Sequence, residues 1–291
     1  MIRKRCPILA LSVALARAAG PHPDPLETIR EGTYSQSTAF DPAIAILNWN
    51  IDRGKHLDRI AEAVRQAKAE LCIFQEVDLG ARRTQGKDVA RELAQALGMN
   101  YAFAPEFREL SQSTGGEPAY HGQAILTRLA MRNVRILRFT HQSGFWQPKP
   151  LISSLPLFQR REGGRIALVS ELDNGGKLLV VYNLHLESRG DDQGRLLQLE
   201  EVLADADRYP VGTPVIVAGD LNTKTRHSAL VPRLRQFGYR NAFGDRRVRT
   251  HVILGGFDYV FVRGPIQLED ARIVRGTHAS DHDPIAVQAR F

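Results

Sequence analysis

The chain has 291 residues, of which 43% are apolar and 24% charged, and a formal net charge of +7. A chain of that length and composition buries one large core or two modest ones, which excludes disorder over most of its length. Without Arg3, Lys4, Arg5 and Arg17, which fall in a leader-like segment, 35 of the 39 basic residues remain against 32 acidic ones, a balance of about +3 that by itself argues for no polyanionic partner.

Residues 1–18 read as a secretory signal peptide: a basic start at Arg3-Lys4-Arg5, an apolar run from Ile8 to Ala16, and the small-x-small step Ala16-Arg17-Ala18. The run is about half the length that spans a bilayer, so the expectation is a secreted or periplasmic protein. Cys6 lies in the leader with no Leu-x-x-Cys before it. Cys72, inside Leu71-Cys72-Ile73-Phe74, then reads as a buried structural thiol, and no disulfide framework is expected.

Residues 19–43, rich in Pro, Asp, Ser and Thr without apolar periodicity, predict a surface linker, and the globular part begins near Ile44. Period-2 and period-3.6 patterns then alternate. They predict strands over Ala43 to Asn50 and Leu71 to Gln75, with helices over Leu57 to Ala69 and Asp88 to Leu97. Further strands are expected at Ala124 to Thr127, Val134 to Phe139, Ile166 to Leu172 and Leu178 to Leu186, the last two joined through Asn174-Gly175-Gly176 as a hairpin. A helix from Asp191 to Asp207 shows one apolar face, Leu196, Leu199, Val202 and Leu203. Strands at Pro214 to Ala218, Phe257 to Val262, Ala271 to Val274 and Ile285 to Gln288 complete the pattern. Crossovers together with a hairpin imply a mixed α/β architecture with helices over the sheet faces.

Polar clusters sit where these apolar strands end, which is where layered α/β proteins build their sites. They are Asn48-Trp49-Asn50-Ile51-Asp52, Gln75-Glu76, Asn183-Leu184-His185, Gly219-Asp220-Leu221-Asn222, Ser280-Asp281-His282-Asp283-Pro284, and Asp258 within Phe257-Asp258-Tyr259-Val260. Carboxylates, carboxamides and imidazoles with neither a Cys ligand nor a His-x-x-x-His pair suit a hard cation such as Mg²⁺ or Mn²⁺ better than zinc. In isolation each cluster also has a structural reading. Asp220-Leu221-Asn222 and Asp281 to Pro284 make good turns, His185 a good core histidine.

Trp-Asn-Ile, Gln-Glu, Gly-Gln-Ala-Ile-Leu, Asn-Leu-His-Leu, Gly-Asp-Leu-Asn, Phe-Asp-Tyr-Val and Ser-Asp-His-Asp-Pro, in that order from about Ile44 to Phe291, resemble the successive signatures of the endonuclease/exonuclease/phosphatase superfamily. The resemblance implies an α/β (α+β) fold of the deoxyribonuclease I type, a four-layer sandwich of two mixed β-sheets packed face to face and flanked by helices. It implies a Mg²⁺- or Mn²⁺-dependent phosphodiesterase or nuclease, with nucleic acid or a phospholipid head group as substrate and no obligate protein partner. Glu76 would be the principal metal ligand, with Asn50 and Asp52 near the metal or phosphate and Asp281 contributing to the ion's environment. Asp220 would activate water and Asn222 hold the phosphate or nucleophile. Asp258 would orient His282, and His185 would be the second imidazole, the division of roles between the two histidines staying open.

Departures bear on the substrate. Gln123 stands where many members carry Asn, and Thr250 to Gly256 lacks the Trp-rich segment of abasic-site endonucleases. Ser143 to Leu157, with Phe145, Trp146, Leu151, Ile152, Leu155 and Leu157, reads either as a lipid-touching loop or as core. Arg82-Arg83 and Arg246-Arg247 read as solvated charge runs or as phosphate contacts. A member of the fold without catalysis, acting as a binding module, is the alternative from another class.

Overall fold

The computed structural model describes residues 24–36, 39–149, 155–223, 228–251, 253 and 255–291. The predicted leader, and Leu151 and Ile152, lie outside them. In chain order the elements are β1 (Arg30–Gly32), β2 (Ala43–Arg53), α1 (Leu57–Gln66), β3 (Leu71–Leu79), α2 (Val89–Leu97) and β4 (Asn100–Thr114). β5 (Glu117–Thr127), β6 (Ala130–Arg138), β7 (Arg161–Gly163), β8 (Ile166–Asn174), β9 (Lys177–His185) and α3 (Asp192–Ala206) follow. The chain ends with β10 (Val215–Asp220), α4 (Leu230–Gln236), β11 (Arg240–Asn241), β12 (Asp258–Arg263), β13 (Gln267–Ile273) and β14 (Ile285–Arg290).

One sheet runs β1-β4-β5-β3-β2-β14-β13 with β7 beside β4, the other β11-β12-β10-β9-β8-β6. β2 pairs with β3, and β9 with β10, in parallel, and the other pairs are antiparallel. A parallel neighbour needs a crossover, supplied by α1 in one sheet and α3 in the other.

Strand parity sets the layers, because alternate side chains leave opposite faces. Ile44 and Ile46 of β2 and Leu71 and Ile73 of β3 meet Val181, Ile216, Ala218, Val260 and Val262 of the other sheet in a buried apolar layer. The opposite parity, Leu47, Trp49, Cys72 and Phe74, packs on Ile60 and Val64 of α1 and on Val89 and Leu93 of α2. Val180, Tyr182, Val215 and Val217 likewise cover Leu199, Val202 and Leu203 of α3 and Leu230 and Leu234 of α4. The result is the expected helix–sheet–sheet–helix sandwich, with Cys72 a buried free thiol.

Local chemistry explains the element ends. Asp88 accepts from the Arg91 N–H at 3.1 Å and Asp191 from the Gly194 N–H at 3.0 Å, starting α2 and α3 as side-chain N-caps. α1 stops three residues before the expected Ala69, because Lys68 takes a positive φ of 51° and turns the chain back into β3. The stretch predicted as a linker is corrected in part: Arg30 to Gly32 pair with Tyr101 to Phe103 at the sheet edge. Three residues, two of them exposed, are too few to carry a side-chain alternation to read.

A buried amide clasp joins the sheets. Gln75 Nε2 donates to Asn48 Oδ1 at 3.1 Å and Asn183 Oδ1 at 2.7 Å, while Asn183 Nδ2 donates to the Phe74 and Ala124 carbonyls at 2.9 and 3.0 Å. Asn183→Ala removes one acceptor of Gln75 Nε2 and the side-chain donor to the Phe74 and Ala124 carbonyls in a buried layer, with an expected loss of about 2–3 kcal/mol in urea unfolding. A loss below about 0.5 kcal/mol would show that the clasp contributes nothing net.

Candidate active site

The parity that fills the inter-sheet layer with apolar side chains places polar ones at one end of it. Beyond Ile44 and Ile46 come Asn48 and Asn50; beyond Leu71 and Ile73, Gln75; beyond Leu179 and Val181, Asn183 and His185; beyond Ile216 and Ala218, Asp220. Asp258 precedes Val260 and Val262 in the same phase. Strand register then aligns them. Asp220 is opposite His185 across the parallel pair and opposite Asp258 across the antiparallel one, so the three form a row over β9, β10 and β12.

Asn50 reaches that row from the facing sheet, its Nδ2 donating to Asp220 Oδ2 at 3.2 Å. The Nε2 atoms of His185 and His282 each lie 3.9 Å from the same oxygen. Asp220 Oδ1 accepts the Asn222 N–H at 2.9 Å, and Asn222, at a left-handed φ of 50°, donates from Nδ2 to the Leu186 carbonyl at 3.0 Å. A non-glycine residue in that conformation is held by its surroundings, as occurs at functional sites.

His282 comes from the loop before β14. Its carbonyl accepts from Trp49 Nε1 at 2.7 Å, its N–H donates to Ser280 Oγ at 3.0 Å, and Ser280 Oγ donates to the Asn50 carbonyl at 2.7 Å. Its Nδ1 is 2.8 Å from Asp258 Oδ2. Burial alone lowers an imidazole, but the Asp258, Asp220 and Asp281 carboxylates raise His282 to about 10, so it is a cation at neutral pH. Asp220 is pushed up to about 6 by burial and then by Asp258, against the pull of His282. His185 moves the other way: burial and then Arg165 hold it well below 6.5, hence neutral.

The His282–Asp258 pair therefore ties stability to pH. With a folded value near 10 against 6.5 for an ordinary imidazole, its contribution is complete below 6.5 and is lost as pH rises through about 10. Asp258→Asn should lower stability at pH 6 by on the order of 3 kcal/mol and flatten the decline between pH 7 and 10. An unchanged slope in that window would show that another group titrates there.

Glu76 sits at irregular register in β3, with φ 52°, at the step where Asn50 pairs with Gln75. Such a bulge re-aims a side chain. Its side chain is 24% exposed, with Arg53 Nη2 at 3.7 Å from Oε2. Burial acts to raise it, but His121, Arg53, Arg165 and His282 bring it below the usual carboxylate range, so it is ionised. Asp52, also at positive φ, pairs with Arg53 and, at 2.9 Å, with Lys55 Nζ. Asp281 is the outlying member, its side chain 59% exposed and its Oδ2 3.7 Å from His251 Nε2.

These donors fit a hard divalent cation: an ionised, half-buried Glu76 whose ion-pair partner Arg53 stands off at 3.7 Å, and a buried trio, Asp220, Asp258 and His282, with ligand atoms within 4.8 Å of one another. In the trio, Nδ1 of His282 is already committed to Asp258, which leaves Glu76 as the carboxylate less engaged within the protein.

Sequence reasoning missed three groups. Glu106, in the unread β4, is fully buried, accepts from Arg165 Nη1 at 2.9 Å and Gln123 Nε2 at 2.7 Å, and places Oε2 3.7 Å from His185 Nδ1. Burial pushes it up to about 7. Gln123 also donates to the Ile166 carbonyl and accepts the Leu168 N–H, so the amide that departs from Asn holds Glu106 and β8. Arg165 and His251 are the other two. Arg83 is corrected from a solvated charge: it grips Asp78 through two bonds of 2.6 and 2.7 Å and reaches Glu109 at 3.2 Å. Arg246 and Arg247 are exposed. Of the Ser143 to Leu157 segment, Trp146 packs on Phe107 with ring centroids 5.2 Å apart, whereas Phe145 and Leu157 are 48% and 85% exposed.

Comparison with known proteins gives a consistent picture. Solved structures sharing the fold include an endonuclease/exonuclease/phosphatase from Beutenbergia cavernae, with TM-score 0.65 and 18% identity, covering 86% of this chain and 72% of that one. The human Nocturnin catalytic domain with bound sulfate has TM-score 0.66 and 16% identity, covering 92% and 98%. D. rerio TDP2 complexed with a single-strand DNA product has TM-score 0.60 and 18% identity, covering 86% and 100%. No curated protein matches by sequence. The sequence itself matches the Endonuclease/Exonuclease/phosphatase family over residues 47–282, and the chain belongs to that family.

Proposed function

We propose that the chain is a divalent-metal-dependent phosphoric ester hydrolase, foremost a phosphodiesterase acting on nucleic acid by direct attack of water at phosphorus. One observation carries this reading: Asn50, His185, Asp220 and the Asp258–His282 pair converge on a single buried oxygen, Asp220 Oδ2. Glu76, Asn50 and Asp52 would hold the cation, with Asp281 at its margin, and Mg²⁺ or Mn²⁺ would neutralise phosphate oxygens and the charge arising on the leaving group.

The chain's own groups divide the remaining work. Asp220, a base near pH 6, takes the proton of the attacking water as the oxygen–phosphorus bond forms, and Asn222 keeps phosphate and nucleophile in line. His282 carries a proton at neutral pH and His185 does not. With these opposite charge states, proton donation to the departing oxygen, or clamping of a phosphoryl oxygen, would fall to His282, and His185 would serve as a neutral hydrogen-bond donor. Neither a Ser nor a Cys nucleophile is required.

Bis-(p-nitrophenyl) phosphate should be hydrolysed with Mg²⁺ or Mn²⁺ and not with EDTA or after Asp220→Ala. Absence of turnover on DNA, RNA, lipid and monoester substrates, with metal shown to be bound, would instead establish a binding module. A phospholipid head group is the second substrate reading, favoured by exposed Phe145, Leu155, Leu157 and Phe158. Nucleic-acid binding should weaken steeply between about 50 and 200 mM salt, and apolar lipid contact should not. Export as a monomer completes the proposal, and mass spectrometry of the mature N-terminus tests cleavage after residue 18.

A further inference from the structure

His251 belongs to none of the motifs that identify the family, yet its ring lies directly against His282. Its ring packs edge to face on His282, with centroids 4.8 Å apart at 76°, and on Phe257, 5.6 Å apart at 71°. The main chain fixes it there. His251 N donates to the Gly255 carbonyl at 2.7 Å, the neighbouring Thr250 carbonyl accepts from Asp283 N at 2.6 Å, and Thr250 Oγ1 accepts from the Phe257 and Asp258 N–H groups at 3.1 and 3.3 Å. One strap thus holds His251, Asp258 and the His282 loop in a common frame.

The imidazole is locked electronically as well. Its Nδ1 accepts the Ile253 N–H at 3.0 Å, which an imidazole can do only with that nitrogen unprotonated, so its proton resides on Nε2. Nε2 faces Asp281 Oδ2 at 3.7 Å. An ordinary hydrogen bond of this kind measures about 2.9 Å, and catalytic contacts commonly tighten when a site is loaded. Asp281 needs such a fixed donor, because its side chain is 59% exposed and Ser280 Oγ, at 3.4 Å, is a long contact.

We propose that His251 is a positioning residue that holds the Asp281 carboxylate beside His282 and, through it, tunes the affinity of the site for its divalent cation. The inference rests on the phosphoesterase reading, in which Asp281 contributes to the cation's environment. Groups that orient metal-site carboxylates change metal affinity or activity by about 10- to 100-fold when removed.

The test uses the full chain with His251→Phe, which keeps an aromatic ring and removes the donor, His251→Asn, which keeps a donor on a smaller side chain, Asp281→Ala, and the double variant His251→Phe/Asp281→Ala. Mn²⁺ affinity is read by titration calorimetry, alongside kcat and KM on bis-(p-nitrophenyl) phosphate and the metal-free melting temperature. His251→Phe should weaken Mn²⁺ about 10-fold or more without lowering the metal-free melting temperature by more than a few degrees, and His251→Asn should recover part of the loss. The double variant should bind Mn²⁺ no more weakly than Asp281→Ala alone, since coupled residues are not additive. Unchanged affinity in His251→Phe beside a weakened Asp281→Ala, or additive losses in the double variant, overturns the role of His251 while sparing the function. Unchanged affinity in Asp281→Ala overturns both this inference and the place given to Asp281. Should His251→Phe fail to fold, His251→Ala, which also removes the donor, takes its place against Asp281→Ala and is decided by the same outcomes.

Discussion

Asp220→Asn should lower kcat/KM on a phosphodiester by on the order of 10³-fold or more while making the protein more stable at neutral pH. Loss of the base accounts for the rate, since an amide at that position cannot accept the proton of the attacking water. Stability follows from the sign of the Asp220 shift. A carboxyl raised from 3.8 to about 6 in the folded chain is favourable to the fold only while protonated, so its contribution is present at low pH and is lost as pH rises through about 6. At pH 7.5 a buried, ionised Asp220 is a net cost, and asparagine removes it while its single amide oxygen keeps the acceptor for the Asn222 N–H and the bond from Asn50 Nδ2 is lost.

The gain is limited because His282 also loses a neighbouring anion. An increase of about 1–2 kcal/mol, or roughly 2–5 °C in melting temperature for a domain of this size, is expected. Wild-type kcat/KM should correspondingly rise with pH across the region near 6. A variant both inactive and less stable would mean that Asp220 supports the fold, and the assignment of base would have to move elsewhere in the row.

Glu76→Gln should abolish metal-linked stabilisation and reduce kcat/KM by on the order of 10³-fold, the equivalent of several kcal/mol of lost charge stabilisation at the phosphate. A ligand that binds only the folded state raises stability by RT ln(1 + [L]/Kd), about 2.7 kcal/mol at a hundredfold excess over Kd. Wild-type protein should therefore melt at progressively higher temperature as Mn²⁺ is added and return to its starting point with EDTA, whereas Glu76→Gln should melt at one temperature throughout. The ionised state of Glu76 is maintained by the imidazoles, Arg53 and Arg165 against the penalty of burial, so the amide removes an anion that the surrounding positive charge favours. If Mn²⁺ stabilises Glu76→Gln as it does wild type, the cation is held elsewhere, with the Asp220–Asp258–His282 trio the next place to examine.

Most of this arrangement follows from alternation along the strands. Once Ile44 and Ile46 are buried between the sheets, Asn48 and Asn50 must point the same way, and the same holds for His185 after Val181 and Asp220 after Ala218. The sequence by itself therefore determined the layers, the strand ends carrying chemistry, and the residue types that a phosphate and a hard cation require.

What it left undetermined has a common cause, the absence of a local pattern. β4 is buried on both faces from Tyr101 to Phe107 and shifts register at Pro105, so no alternation marks it, and Glu106 passed unseen. The positive φ of Glu76 breaks the very parity that located its neighbours. His251 and Arg165 gain their significance only from side chains brought beside them by pairing across strands and loops. Tertiary structure alone decided the protonation states as well: two histidines of one chemical type end at opposite charge because one is buried against Arg165 and the other against Asp258, a difference of surroundings that no single stretch of sequence contains.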